Sequence, residues 1–172
     1  MGKPPTTPYP PDVDDEAEPL TELGDMADAV VSGADWANQR AQRAALRRIE
    51  LNDCRLTGVE LAEAVLSDVT LTGCRLGLAG MRMATLERVV FRDCRMGECD
   101  LYAAVLKDVL FERCELNGAT LTGATMTRVE LRGCDLTNLV GAEALRGVRM
   151  PYAELVGNGP LFAAALGIEA VD

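Results

Sequence analysis

The stretch VVFRDCRMGECDLYAAVL, residues 89–106, contains the pattern that decides the fold. Its apolar residues neither alternate as in a half-buried strand nor recur at the spacing of about 3.6 residues that marks a helix face. They fall into pairs two residues apart, and the pairs repeat every five residues: Val89 and Phe91, Cys94 and Met96, Cys99 and Leu101, Ala104 and Leu106. This pattern predicts short sides of five residues, each with two residues facing inward and a turn at its end.

The spacing of five extends far beyond this stretch. Leucine, methionine or phenylalanine occupies nineteen consecutive positions five residues apart, from Leu46 to Leu136. The residue two before each repeats with a period of twenty, in rows such as Ile49, Val69, Val89, Val109, Val129 and Cys54, Cys74, Cys94, Cys114, Cys134. Four sides of five residues predict a four-sided coil whose successive turns stack as parallel strands about 4.8 Å apart.

Several pentads resemble the motif of the bacterial pentapeptide-repeat family, which is a small residue, Asp or Asn, Leu and two loosely specified residues. CDLYA (99–103) and CDLTN (134–138) fit it closely, and ATLTG (119–123) and VELAE (59–63) fit it less fully. The resemblance covers at least residues 44–138, and ADW at 34–36 falls in the same frame as an irregular first coil. It implies an all-β fold, a right-handed quadrilateral parallel β-helix that forms a solenoid with short terminal helices.

The two ends of the chain predict other elements. Residues 1–19, rich in proline and acidic residues, predict a disordered tail, and residues 20–33 predict a short helix that caps the N-terminal opening together with Trp36. Residues 34–157 predict the β-helix. Its spacing of five slips by one residue after Leu136 and continues at Val140, Leu145, Met150 and Leu155.

Residues 158–172 predict a C-terminal helix with Leu161, Phe162 and Leu166 on one apolar side. An open stack end exposes unpaired backbone and apolar side chains, so a solenoid needs a cap or a partner there. The helix is therefore either an end cap or the contact of a homodimer.

The repeat also predicts which residues form the core, and few residues suited to catalysis remain. Ladder positions predict buried packing for Cys54, Cys74, Cys94, Cys114, Cys134, Val69, Val89, Val109, Leu86 and Leu106. The cysteines act there as small apolar residues, and free thiols favour a reducing cytoplasm.

The chain has no histidine, and its cysteines lack the spacing of zinc ligands. The sequence therefore predicts no enzyme, no catalytic residue, no cofactor and no metal site. Without a secretory signal or an apolar run long enough to span a bilayer, it also predicts no membrane contact.

The outward positions carry the candidate interaction residues. Arg55, Arg75 and Arg95 stack on one side as like charges, which predicts either a binding stripe for a partner or a solvated row relieved by nearby acids. Val90 and Leu110 stack on another side, with Val65 and Val105 beside them, as a possible apolar contact patch. A third row alternates Arg48, Asp68, Arg88, Asp108 and Arg128, a sequence of cross-strand pairs that stability alone explains.

Two functions follow from this surface. Some members of the family imitate DNA and protect DNA gyrase from inhibitors, which predicts a gyrase-binding DNA mimic without direct contact to nucleic acid. The net charge of −10 is concentrated at the N-terminus, however, since residues 1–43 carry −6 and residues 44–138 only −2, whereas duplex DNA carries a charge about every 1.7 Å. The favoured prediction is a non-enzymatic scaffold that binds another, unidentified protein.

Overall fold

The main body is a parallel β-solenoid in which one side of every coil is a regular strand. The computed structural model describes residues 3–12 and 22–169. Within them, six strands form one parallel sheet in chain order: β1 (Met26–Ser32), β2 (Ala45–Asn52), β3 (Val65–Thr72), β4 (Thr85–Arg92), β5 (Val105–Glu112) and β6 (Thr125–Arg132). Because each strand pairs with the next one along the chain, the sheet runs the length of the stack.

The register follows the period of twenty residues. Ile49 pairs with Val69, and Val69 pairs with Val89. The other sides of the coil pair through single bridges in the same register, such as Arg55 with Arg75. Backbone hydrogen bonds join neighbouring coils there too, with the Leu56 N–H donating to the Arg75 carbonyl at 2.7 Å. The prediction of a four-sided parallel β-helix is confirmed.

Each corner is made by the second residue after the inward-facing leucine. Seventeen non-glycine residues at this position, from Asp28 to Asn138, have φ between 52° and 62°. The left-handed conformation is unfavourable for L-residues, and here it recurs at nearly every side because it turns the chain so that the leucine two residues before the corner and the apolar residue directly after it both face inside. The backbone strain is distributed over all coils and is offset by the hydrogen bonds between them.

The core fills the inside of the coils. Leu86, Val89, Phe91, Leu106 and Val109 are fully buried near the middle of the stack. The Phe91 and Phe111 rings stack at 5.0 Å between centroids and at 4° to each other. Because identical positions lie above one another, the core consists of columns of like residues along the solenoid axis.

The helix predicted for residues 20–33 is wrong. Residues 20 and 21 lie outside the described part, and Met26–Ser32 form β1, which pairs with β2 through Met26 and Leu46. Ala29 and Val31 continue the inward rows of the coils, so the solenoid begins one strand before Trp36. Leu23, Met26 and Val30 have helix-like spacing, but pairing along the edge of β2 satisfies a whole row of backbone groups, and this outweighs the local pattern.

The C-terminal boundary also differs from the prediction. The frame holds through Leu139, which is buried, while Val140 is 51% exposed. A 3-10 helix, Ala142–Leu145, then replaces a side of the coil, and Arg149 pairs with Glu130 at a separation of nineteen residues instead of twenty. The β-helix ends before residue 157, because α1 (Tyr152–Gly157) and α2 (Gly159–Ala165) follow. Of the predicted helix 158–172, the last three residues lie outside the described part.

Candidate interaction surfaces

The arginine row lies in one unbroken ladder on the outside of the solenoid. Arg55 pairs with Arg75 and Arg75 with Arg95 through consecutive bridges. The outer two turn to acidic neighbours, Arg55 to Asp35 at 3.0 Å and Arg95 to Glu115 at 3.6 Å. Among the residues that the structure describes, Arg75 has no acidic partner within ion-pair distance, so the row keeps one uncompensated positive charge at its centre.

The apolar patch predicted at Val90 and Leu110 is not an exposed surface. The two residues are stacked neighbours, as predicted, but Val90 is only 7% exposed and Leu110 is half-buried. Val65 and Val105, on the adjacent side, are each 44% exposed. Val90 therefore belongs to the packed part of the molecule.

The alternating row contains six charges, because Asp28 precedes Arg48 in the same ladder. Arg88 donates to both carboxylate oxygens of Asp68 at 2.6 and 2.9 Å, and Arg128 donates to both oxygens of Asp108 at 2.6 Å. Arg128 lowers the pKa of Asp108, and Arg88 lowers that of Asp68. Each aspartate is therefore held as a carboxylate by an arginine of the next coil.

Residues 3–12 lie against this alternating row, so the prediction that they are disordered is wrong. The Thr6 N–H donates to Asp108 at 3.0 Å, and the Tyr9 N–H donates to Asp68 at 3.1 Å. The Tyr9 ring lies 5.8 Å from the Arg88 guanidinium, a cation–π contact. Low hydrophobicity predicts disorder only for a segment without a partner, and here the coils supply one.

The cysteine ladder is internal. Cys54, Cys74, Cys94 and Cys114 are buried, and Cys134, near the end of the stack, is partly exposed. Each thiol is free and donates to a main-chain carbonyl, as Cys94 does to Leu71 at 3.4 Å. A sixth cysteine, Cys99, is also buried, and burial raises the pKa of its thiol to about 12. The buried thiols pack in the core, and the raised pKa makes Cys99 a poor nucleophile.

The C-terminal helices both cover the end of the stack and expose apolar side chains. Leu161 and Phe162 are half-buried and pack against the core. Leu166 is 70% exposed. Tyr152 and Val156 of α1 are 80% and 60% exposed. The three residues predicted as one apolar side therefore divide between a cap and an open surface.

Residues 3–12 and 22–169 contain neither a metal-binding cluster nor a membrane-spanning helix. No group of three or more Cys, Asp or Glu side chains there is arranged to hold a metal ion. In the same residues, no helix has the length and apolar character needed to cross a bilayer.

Comparison with known proteins agrees with the geometry. A family model described as a pentapeptide repeat region matches residues 44–121. None of the curated proteins compared with the chain matches it. A trypsin-treated variant of QnrB1, a plasmid-mediated fluoroquinolone resistance protein, is 16% identical and aligns over 84% of this chain and 100% of its own, with a TM-score of 0.52.

A second solved structure is HetL, a pentapeptide-repeat protein involved in regulation of heterocyst differentiation in the cyanobacterium Nostoc sp. strain PCC 7120. It is 20% identical and aligns over 74% of this chain and 73% of its own, with a TM-score of 0.41. At these identities the likeness concerns the fold alone. With their five-residue sides, their four-sided coils in a register of twenty and the family model that matches them, residues 44–121 are a pentapeptide-repeat region within a pentapeptide-repeat β-helix.

Proposed function

We propose that the chain is a non-enzymatic scaffold that binds another protein through the side of the solenoid that carries Arg55, Arg75 and Arg95. The observation that carries this proposal is the ladder itself. Adjacent like charges on neighbouring strands are destabilising, and Arg75, between two arginines, gains nothing for the fold from its charge. A positively charged centre on an otherwise acidic chain suits an acidic surface of a partner.

The test is affinity capture followed by mass spectrometry, using cell extract and three forms of the full chain. In the row variant, Arg55, Arg75 and Arg95 are replaced by glutamine. In the control, Arg113→Gln removes an arginine that is also exposed but is bonded to both carboxylate oxygens of Asp93. We expect at least one protein to be retained by the wild type and the control but lost from the row variant. Identical captured sets from all three forms would contradict the proposal.

A gyrase-binding DNA mimic is the alternative function. Its surface would need a continuous acidic face, whereas the alternating row places an arginine between every two aspartates and bonds each pair directly. The direct assay measures DNA supercoiling by gyrase at increasing concentrations of the chain, with and without a fluoroquinolone. Inhibition or protection at micromolar concentrations would favour the mimic over the scaffold, and we expect neither.

We also propose that a second copy of the chain is a partner. Four apolar side chains within the last described residues are more than half exposed: Tyr152, Val156, Leu166 and Ile168. Exposed apolar residues at the end of a solenoid suit a two-fold contact between C-terminal helices.

All six cysteines are free thiols, the state that a reducing cytoplasm maintains, and we propose that compartment for the assembly.

Sedimentation velocity tests the homodimer. We expect the wild type to sediment as a dimer at micromolar concentration and the double variant Val156→Lys, Leu166→Lys to sediment as a monomer, because buried charges oppose the contact. The matched control is Leu78→Lys, Met83→Lys, which changes two exposed apolar residues on the coils, 60% and 50% accessible, and should remain dimeric. A monomeric wild type would rule out the dimer, and equal sedimentation of the two variants would rule out this interface.

A further inference from the structure

The contact between residues 3–12 and the alternating row has a regular repeat. Three backbone N–H groups, those of Thr6, Tyr9 and Asp12, donate to the carboxylates of Asp108, Asp68 and Asp28 at 3.0, 3.1 and 3.1 Å. The donors are three residues apart in the segment, and the acceptors are forty residues apart in the coils. Each step of three residues therefore crosses two coils.

The two spacings match in length. A polyproline II helix has three residues per turn and rises about 3.1 Å per residue, so one turn spans about 9.3 Å. Two steps between paired strands span about 9.6 Å. An extended strand rises by a similar length, about 9.6–10.2 Å over three residues, but its residues alternate between two faces, so it would not return the same N–H direction at every third residue. The register of the row is that of a polyproline II chain.

The burial of the segment shows the same period. Pro5, Pro8 and Pro11 are half-buried, while Pro4 and Pro10 are exposed. Half of the residues from 3 to 12 are proline, which restricts both itself and the preceding residue to conformations compatible with polyproline II. One edge of a three-sided helix therefore faces the coils, and each N–H that reaches a carboxylate follows a proline on that edge.

The carboxylates that accept these hydrogen bonds form a preorganised binding site on the coils. Asp68 and Asp108 are 7% and 3% exposed, yet each accepts from an arginine on the next coil and from the segment. Because the row alternates in sign, a carboxylate is offered only at every second coil. Between two of these carboxylates, Arg88 lies beneath the Tyr9 ring, and Val90, two residues further along β4, lies at the coil that the segment crosses and is nearly inaccessible.

We propose that the alternating row is a binding site for proline-rich peptides in the polyproline II conformation with proline at every third position, and that residues 3–12 occupy it as a built-in competitor of such a segment from a partner protein. The row selects the spacing through the two-coil repeat of its carboxylates. It selects an N–H after each half-buried proline because a carboxylate can only accept. This site lies at a corner of the coil and the arginine row lies along a different side, so either proposal can fail alone.

The binding experiment uses a fluorescent peptide with the sequence of residues 3–12, KPPTTPYPPD, and fluorescence anisotropy. The full chain is prepared as wild type, as an open variant (Pro5→Ala, Pro8→Ala, Pro11→Ala) and as a control (Pro4→Ala, Pro10→Ala) that changes only exposed prolines. We expect the open variant to bind the peptide about tenfold more tightly than the wild type and the control do, since alanine lacks the fixed φ of proline and so weakens the docking of the competing segment. No gain in the open variant, with an unchanged circular dichroism spectrum, would overturn the proposal.

Two further arms test the spacing and the carboxylate. A peptide with Pro8 and Tyr9 exchanged has the same composition but lacks the N–H that Asp68 accepts, and we expect it to bind the open variant about tenfold more weakly. Asp68→Asn in the open variant should weaken binding similarly, whereas Asp93→Asn, which loses a comparable arginine-bonded carboxylate away from the segment, should not. Equal binding of both peptides, or equal loss in both variants, would overturn the selectivity.

Amide hydrogen exchange on the unmodified chain tests the occupied state. We expect the N–H groups of Thr6, Tyr9 and Asp12 to exchange more slowly than that of Thr7, which lies in the same segment without such an acceptor. Exchange of all four at the rate of an unstructured peptide would show that residues 3–12 do not occupy the row.

Discussion

Replacing Leu86 with alanine is expected to lower the free energy of unfolding by about 2–5 kcal/mol. Leu86 is fully buried at the middle of the stack, and its strand pairs with coils on both sides. The substitution leaves a cavity that the surrounding columns of side chains cannot close, because each coil is held in place by backbone pairing to its neighbours. Urea denaturation followed by circular dichroism measures the loss.

The control for Leu86→Ala is Arg75→Ala. Arg75 is exposed on the outside of the solenoid and has no acidic partner within the described residues, so its removal should change stability by less than about 0.5 kcal/mol. Comparing the two variants therefore tests an inward position of the repeat against an outward one. Similar urea midpoints for the two variants would show that the inward and outward positions are assigned wrongly.

The second large effect is expected at Gly141, where the coils give way to the 3-10 helix. Gly141 has φ of 81°, and a Cβ atom there would lie 2.3 Å from the backbone nitrogen of Thr122 and 2.6 Å from its Cα. Backbone in a neighbouring coil cannot move aside as a flexible side chain can. Gly141→Ala should therefore cost about 1–3 kcal/mol through overpacking, in addition to the cost of the left-handed conformation.

Gly147→Ala isolates the steric part of this effect. Gly147 has nearly the same φ, 79°, but a Cβ atom there meets nothing within 4 Å. It should lose only the conformational part, about 1 kcal/mol, so the difference between the two melting temperatures reports the clash with Thr122. If both variants melt at the same temperature, Gly141 is not a point of close packing between the last coil and the 3-10 helix.

The core could be predicted residue by residue because it follows one rule. Val69, Val89 and Val109 occupy equivalent positions in successive coils, and burial at one position implies burial at the others. The same period of twenty also indicates where the solenoid starts, since Ala29 and Val31 stand twenty residues before Ile49 and Leu51. The sequence nevertheless predicts a helix there, because Leu23, Met26 and Val30 also fit a helix face.

The interaction surfaces could be predicted only in part. Arg75 was identified from the period, and its lack of an acidic partner among the described residues follows from where Arg55 and Arg95 direct their side chains. Val90 was predicted to be outward and exposed, which was wrong as to exposure. No local pattern in KPPTTPYPPD indicates that it lies along the coils, because its acceptors are up to 102 residues away in sequence.

The repeat in the sequence is sufficient to predict the four-sided coil, its register and the identity of the columns inside it. These depend on a pattern that recurs in every coil, so the hydrophobic effect and backbone pairing favour the same arrangement at each step. The folded structure is needed to learn which outward charges neutralise each other, where the two ends stop and what covers the alternating row. Those features arise from contacts between parts of the chain that share no pattern, and their energies depend on the distances and directions that folding alone creates.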